Sequence, residues 1–349
     1  MKEKLENITW NIFSKYKSEL YGITILWIMI FHSYLNGIDL YTGENKVLKL
    51  LDLIIEKGNM GTDMFLFLSG IFCYYSFVKK ENYFEYVKRR ITKLLPTVLL
   101  VSGIYWIVDF ILTKDIWKLF LRVTLCDFWV TGDQQIWFVS LIMLCYFIYP
   151  FIYVIVYKSE NDRKLKGIVI FFLFLIFPFA IMNKAPEMYS KIEIAITRIP
   201  VFVIGSFVGK LCYDKKKIHS LLCLIGSAGG VLFSIYFFYM NPFSGIYTRY
   251  FYMFGIFWLL AFAVILYILD LGWLNTFLRF FGNISLELYI SHILLRKIYA
   301  SSEYYREGCK RDYLAILILS ICLAFLVSQI QKRLRKEYVV LTSIKHHTT

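Results

Sequence analysis

Apolar stretches of roughly 17–22 residues recur along this chain, the length at which a helix rising about 1.5 Å per residue crosses a hydrocarbon core. In lipid every backbone N–H and C=O has to be paired within the protein, which leaves helices or closed barrels. The short alternating strands of a barrel are missing from the sequence. A chain of 349 residues that is 58% hydrophobic could not keep that surface away from water as a soluble domain. The expectation is an all-α integral membrane bundle in one domain, residues 1–349. Its ten helices lie at about 20–37, 62–79, 94–112, 136–157, 167–183, 194–212, 218–240, 250–269, 283–300 and 313–331.

Charge orients that bundle. An even number of spans puts both ends on one side, and 24 of the 39 Lys and Arg fall in the N-terminus, 79–93, 158–166, 210–217, 270–282 and the tail. Cytoplasmic loops carry the basic excess, so both termini are expected to be cytoplasmic. The net charge of +14 is thereby a topology signal, and no nucleic-acid-binding motif accompanies it. Residues 1–19 are polar and charged, so no cleavable signal peptide is expected and the first span is its own targeting signal. The connection 38–61 places Val47, Leu50, Leu51, Ile54 and Ile55 at helical spacing between charges, which suits either an interfacial helix or a partly ordered loop. The small residues "GSAGG" at 226–230 suit close helix packing. The seven cysteines show no metal-ligand spacing, and no metal is expected. Five sit in apolar runs as small hydrophobes. Cys126 and Cys309 fall in outer loops, where a disulfide can form.

Ionisable groups inside a membrane are costly and mark functional positions. His32, Asp63, Arg198, Glu287 and His292 are such groups. His219 starts a cytoplasmic helix and His346 and His347 lie in the tail, so none of these three is a candidate. An imidazole titrates near working pH, so His32 can take and return a hydroxyl proton, or it can bridge helices by hydrogen bonds. In "GNISLELYISH", Ser285 is seven residues before His292 and shares its helical face. Glu287 is five residues away and turned about 140°, so it is not the carboxylate that orients His292. Glu287 is expected to meet a cation on another helix or the cytoplasmic headgroups. Arg198, in "TRIPVFVIG", can grip a carboxylate, a phosphate or a developing oxyanion, or snorkel outward. Asp63 is placed as a helix N-cap. Lys88, Arg89, Arg90 and Lys93 stand before Pro96, as a topology signal or as a site for a phosphate-rich ligand. No Walker A loop or dinucleotide fingerprint is present.

Taken in order, "ITILWIMIFHS", "GTDMFLFLSGIFCYYSF", "YVKRRITKLLP", "WFVSLIMLCYFIYP", "TRIPVFVIGSFVG" and "GNISLELYISH" resemble the acyltransferase-3 family of polytopic membrane O-acyltransferases from about residue 17 to 330. The resemblance implies about ten spans in a bacterial plasma membrane. It also implies transfer of an acyl group, usually acetyl, from cytoplasmic acetyl-CoA or another acyl-CoA to a surface carbohydrate or lipid-linked glycan. Acyl-CoA is then a donor substrate, and no resident cofactor is implied. His32 matches the family's catalytic first-helix histidine, Arg90 and Lys93 its basic pair, and Arg198 and His292 further motif positions. Where many members carry a basic residue eleven positions before the histidine, this chain has Tyr21. Lys17 is the nearest upstream cation, about 60° around the helix from His32 and about 22 Å along it. Lys17, Lys88, Arg89, Arg90 and Lys93 are the candidate donor-binding residues. The competing class is a transporter or flippase with polar residues lining a pathway, but the inverted repeat common in such proteins is not visible.

Overall fold

The computed structural model describes residues 6–38, 45–158, 161–240 and 244–347, with side chains described to residue 334. It is 84% helical. The helices are α1 (Lys17–Tyr34), α2 (Lys46–Glu56), α3 (Met60–Val78), α4 (Tyr83–Thr113), α5 (Ile116–Val123), α6 (Trp137–Tyr157), α7 (Arg163–Lys184), α8 (Pro186–Ile196), α9 (Ile199–Tyr213), α10 (Ser220–Met240), α11 (Ile246–Leu269), α12 (Gly272–Asn283), α13 (Ser285–Ala300) and α14 (Lys310–His347). Among the described residues, strand pairing is limited to one isolated antiparallel bridge between Thr9 and Lys217.

Each of the ten expected spans coincides with a helix, and eight helical stretches are long and apolar enough to cross a membrane. The other two are α1 and α13. Polar residues interrupt the apolar character of α1, among them Lys17, Glu19, His32 and Ser33. With 16 residues α13 reaches only about 24 Å, short of the roughly 30 Å core. These two helices carry the candidate histidines.

Packing separates centre from periphery. Of the most apolar stretch of α7, 11% is buried, against 83% for that of α8–α9. The central seam is α3 against α9, where a Cβ on Gly205 would stand 2.1 Å from the Phe67 carbonyl oxygen. No side chain fits there, so the glycine is what lets the two backbones touch. The segment 270–282, expected as a cytoplasmic loop, is the helix α12. It buries Leu278 and Phe281 and packs on α1 so closely that a Cβ on Gly282 would lie 1.7 Å from the Ser18 carbonyl oxygen. Arg279 clamps the same seam by donating to Glu19 Oε1 from Nε at 3.1 Å and Nη2 at 2.6 Å.

Other expectations resolve locally. The stretch before α3 forms α2, capped by Asn45, whose Oδ1 accepts from the Val47 and Leu48 amides, while Val47, Leu50 and Leu51 are exposed. Residues 39–44 of that connection lie outside the described residues. "GSAGG" falls on a π-helical turn, Ile225–Gly229, and Gly230 abuts the Phe257 ring. Cys126 and Cys309 are free thiols, at the start of the short helix Asp127–Thr131 and just before α14, and so do not form the disulfide their loop positions permitted.

Candidate active site

Asp63 is not the N-cap its position suggested. It is fully buried and accepts from Arg198 Nε at 3.0 Å. Arg198, also fully buried, donates from Nη1 to the Ile194 carbonyl at 2.7 Å and from Nη2 to Asn59 Oδ1 at 3.0 Å. The rings of Trp137 and Tyr252 lie 5.1 and 5.6 Å from its guanidinium carbon. Arg198 therefore does not snorkel. It holds the α8–α9 break against the start of α3, and its donors point into that junction.

The histidines do come together. His32 from α1 and His292 from α13 stack with ring centroids 5.2 Å apart and planes 18° from parallel. His292 is 1% exposed, with Ser320 Oγ 3.4 Å from Nδ1 and Tyr313 Oη 3.4 Å from Nε2. Tyr313 in turn donates to the Met29 carbonyl on α1, and Ser320 to the Ile316 carbonyl. His292 is thus held by neutral hydroxyls from α14, and among the described residues no carboxylate orients it. His32 is buried, and its Nδ1 finds no partner among the described residues. A buried ring nitrogen left unpaired is costly, and it is chemically able to bond a hydroxyl brought beside it.

A cavity of about 360 Å³ opens at the basic end of the same helices. Lys17, Arg90, Lys93 and Lys332 line it, with Glu287, Tyr21, Tyr146 and Ser285. The cationic set thus joins α1, α4 and α14 around one volume. Arg90 donates from Nη2 to the Phe72 carbonyl at 2.6 Å and lies between the rings of Tyr86 and Tyr146, which fixes its fork at the wall. Lys17 extends over the Phe72 ring, with Nζ 4.2 Å from the centroid. Partial burial, with Lys93 and Arg90 nearby, lowers its ammonium to about 8. Glu287 accepts from Thr97 Oγ1 at 3.4 Å, and Gln331 donates to that same hydroxyl at 2.7 Å. Glu287 therefore belongs to the cavity wall on the α4–α14 side.

The basic run of α4 divides. Arg90 and Lys93 face the cavity, whereas Lys88 is exposed and Arg89 donates to the Ser76 carbonyl at 3.1 Å and faces Glu85 at 3.8 Å. Lys332 was missed because a lysine at a helix end reads as topology. Its arrival beside Lys17 depends on how α14 packs.

The cavity stops short of the histidines. Phe65, Phe138 and Tyr289 line its inner end, with Phe138 5.9 Å from Phe65 and 5.6 Å from Tyr289 between centroids. Tyr289 precedes His292 by one turn of α13, so the ring partition separates a polar vestibule from the stacked pair by about 4.5 Å of helix rise.

Fold and site together define a multi-pass helical membrane protein with a cationic vestibule at one end and a buried histidine pair beyond it. A family model described as an acyltransferase domain matches residues 21–331, nearly the whole chain. The chain belongs to the acyltransferase-3 family and is in general terms a membrane acyltransferase. No curated protein and no solved structure matches the chain.

Proposed function

We propose that this protein is an O-acyltransferase of the bacterial plasma membrane, moving an acyl group, in the simplest case acetyl, from cytoplasmic acyl-CoA to a hydroxyl of a cell-surface or exported glycan, either a free carbohydrate or a lipid-linked one. The observation that carries this reading is that α1 and α13 supply both halves of the site. Each contributes polar groups to the cationic cavity and a histidine to the buried stack.

In this scheme the donor's phosphates rest against Lys17, Arg90, Lys93 and Lys332, with Lys88 and Arg89 attracting them at the rim. The thioester passes the Phe65–Phe138–Tyr289 partition. His32 takes the acceptor hydroxyl proton as that oxygen attacks the acyl carbon, and His292 fixes the plane of the His32 ring by stacking. The apolar surround excludes water that would otherwise hydrolyse the thioester. Tyr21 leaves the usual basic position uncharged, and Lys17, one turn earlier and lining the same cavity, supplies a cation instead. Arg198, ion-paired and enclosed, acts on the site only through the helices it fixes.

Transfer of labelled acetyl from acetyl-CoA in membranes containing the wild type, His32→Ala or Arg90→Ala at matched levels tests the proposal. Label should enter a glycan or lipid fraction with the wild type alone. A His32→Ala protein that inserts normally and transfers at the full rate would defeat it. A wild type that neither transfers acetyl nor binds acetyl-CoA would favour a transporter.

A further inference from the structure

Arg296 lies one turn beyond His292 on the same face of α13. It reaches across to the turn that follows α1, donating from Nη2 to Asn36 Oδ1 at 3.1 Å, and Asn36 follows His32 by four residues. The guanidinium therefore ties α13 to the end of α1 about one helical turn beyond the two histidine positions, on the side away from the cavity. Its charge acts on both His32 and His292, and it lies within electrostatic reach of Tyr313, the hydroxyl that contacts His292.

Arg296 differs in its partners from the paired cations of the bundle and resembles Arg90 at the cavity wall, which likewise faces no carboxylate among the described residues and has a buried, unpartnered Nε. The buried Arg122 faces Asp109 at 2.6 Å and Asp127 at 3.4 Å, Arg198 faces Asp63 at 3.0 Å, and the half-buried Lys297 faces Asp133 at 3.5 Å. Among the described residues Arg296 has no carboxylate within 4.0 Å. Its Nε is buried without a partner, and a neutral amide is what it holds. A partly buried cation without a counter-charge is unfavourable in the resting protein and becomes favourable when negative charge forms beside it. Acyl transfer makes such a charge for the lifetime of the tetrahedral intermediate.

Resting on the acyltransferase reading above, we propose that Arg296 is a further catalytic residue, the donor that stabilises the oxyanion of the tetrahedral intermediate formed beside His32. The acceptor oxygen forms a bond to the thioester carbon while its proton passes to His32, and the carbonyl π pair moves onto oxygen facing the guanidinium. Collapse re-forms the C=O bond and breaks the C–S bond, and the leaving thiolate takes the proton back from His32. One hydroxyl and one thioester become one ester and one thiol. This is the oxyanion role the sequence offered to Arg198, whose fork the structure engages elsewhere.

The test compares wild type, His32→Ala, Arg296→Ala, Arg296→Gln and Arg296→Lys in the membrane acetyl-transfer assay, with acetyl-CoA titrated and its binding measured directly on purified protein. Arg296→Ala should lose about 10²–10³-fold in kcat with KM and binding of acetyl-CoA unchanged, the loss typical of a deleted oxyanion donor. Arg296→Lys should recover part of the rate, and added guanidinium should partly rescue Arg296→Ala. If Arg296→Ala and Arg296→Gln stay within a few fold of wild type while His32→Ala is inactive, the inference falls and the acyltransferase reading stands. Loss of acetyl-CoA binding or of monodispersity in all three Arg296 variants would make the residue structural and overturn the inference equally. A wild type that binds no acetyl-CoA and transfers nothing would remove both.

Discussion

Removing one partner of the Asp63–Arg198 pair separates structural from chemical roles for Arg198. In Asp63→Ala the guanidinium stays fully buried, keeps the Ile194 carbonyl and the Asn59 side-chain oxygen, and loses the carboxylate that faces it at 3.0 Å. Breaking a buried pair in this way costs about 3–5 kcal/mol, which at 1.4 kcal/mol per decade is a factor between roughly 10² and several 10³ in the folded population. At about 2 °C per kcal/mol, the low end for large chains, the melting midpoint should drop by about 6–10 °C. Arg198→Met should cost a similar amount, because it strands the Asp63 carboxylate and abandons the Trp137 and Tyr252 rings. The double variant Asp63→Leu/Arg198→Met should lose clearly less than the sum of the singles, since no unpaired charge is left. The assay is thermal unfolding in detergent followed by size-exclusion fluorescence, with acetyl transfer measured per folded molecule. Single variants within about 1 kcal/mol of wild type, or strict additivity, would refute the argument and return Arg198 to the reaction.

Donor binding should weaken as pH rises through about 8, because Lys17 is charged below that value and neutral above it. Lys17→Met should abolish this step, and binding of acetyl-CoA between pH 7 and 9 measures it. Folding should respond with the opposite sign, gaining stability between about 8 and the ordinary lysine range near 10.5, where the unfolded chain binds the extra proton. Phe138→Ala should open the partition beneath the histidines and raise acetyl-CoA hydrolysis in the absence of acceptor, read as thiol release. An unchanged hydrolysis rate would mean the rings do not separate vestibule from pair. Gly282→Ala forces a methyl to within 1.7 Å of the Ser18 carbonyl oxygen and should cost at least about 1–3 kcal/mol of stability by pushing α12 off α1, read as a lowered melting midpoint.

Much of the molecule is legible in the residues themselves. Apolar length fixes the helices, because lipid offers the backbone no other partner, so all ten expected spans fall on helices. The placement of His32 and His292 in apolar helices marks them as exceptional by cost alone. The same logic misread Asp63, because an acidic residue near a helix start has a local use as a cap, and the stronger partner, Arg198, is 135 positions away. It missed α12, although Trp273, Leu274, Phe277, Leu278 and Phe281 recur at helical spacing, because a 12-residue segment is too short to span a membrane and the Glu19 partner that clamps it to α1 lies 260 positions away. It passed over Arg296, although the four-residue step from His292 puts both on one face, because a cation near a helix end reads first as an anchor.

The sequence by itself determined that this chain lives in a membrane as a helical bundle, since hydrophobic length and backbone pairing are local and additive. Only the tertiary structure decided which cation meets which anion, that Lys332 joins Lys17 around one cavity, that the two histidines stack, and that Arg296 ties α13 to the end of α1 through a neutral amide. Those outcomes depend on close approaches such as Gly205 on Phe67, where whole helices are brought into register by contacts no window of sequence contains.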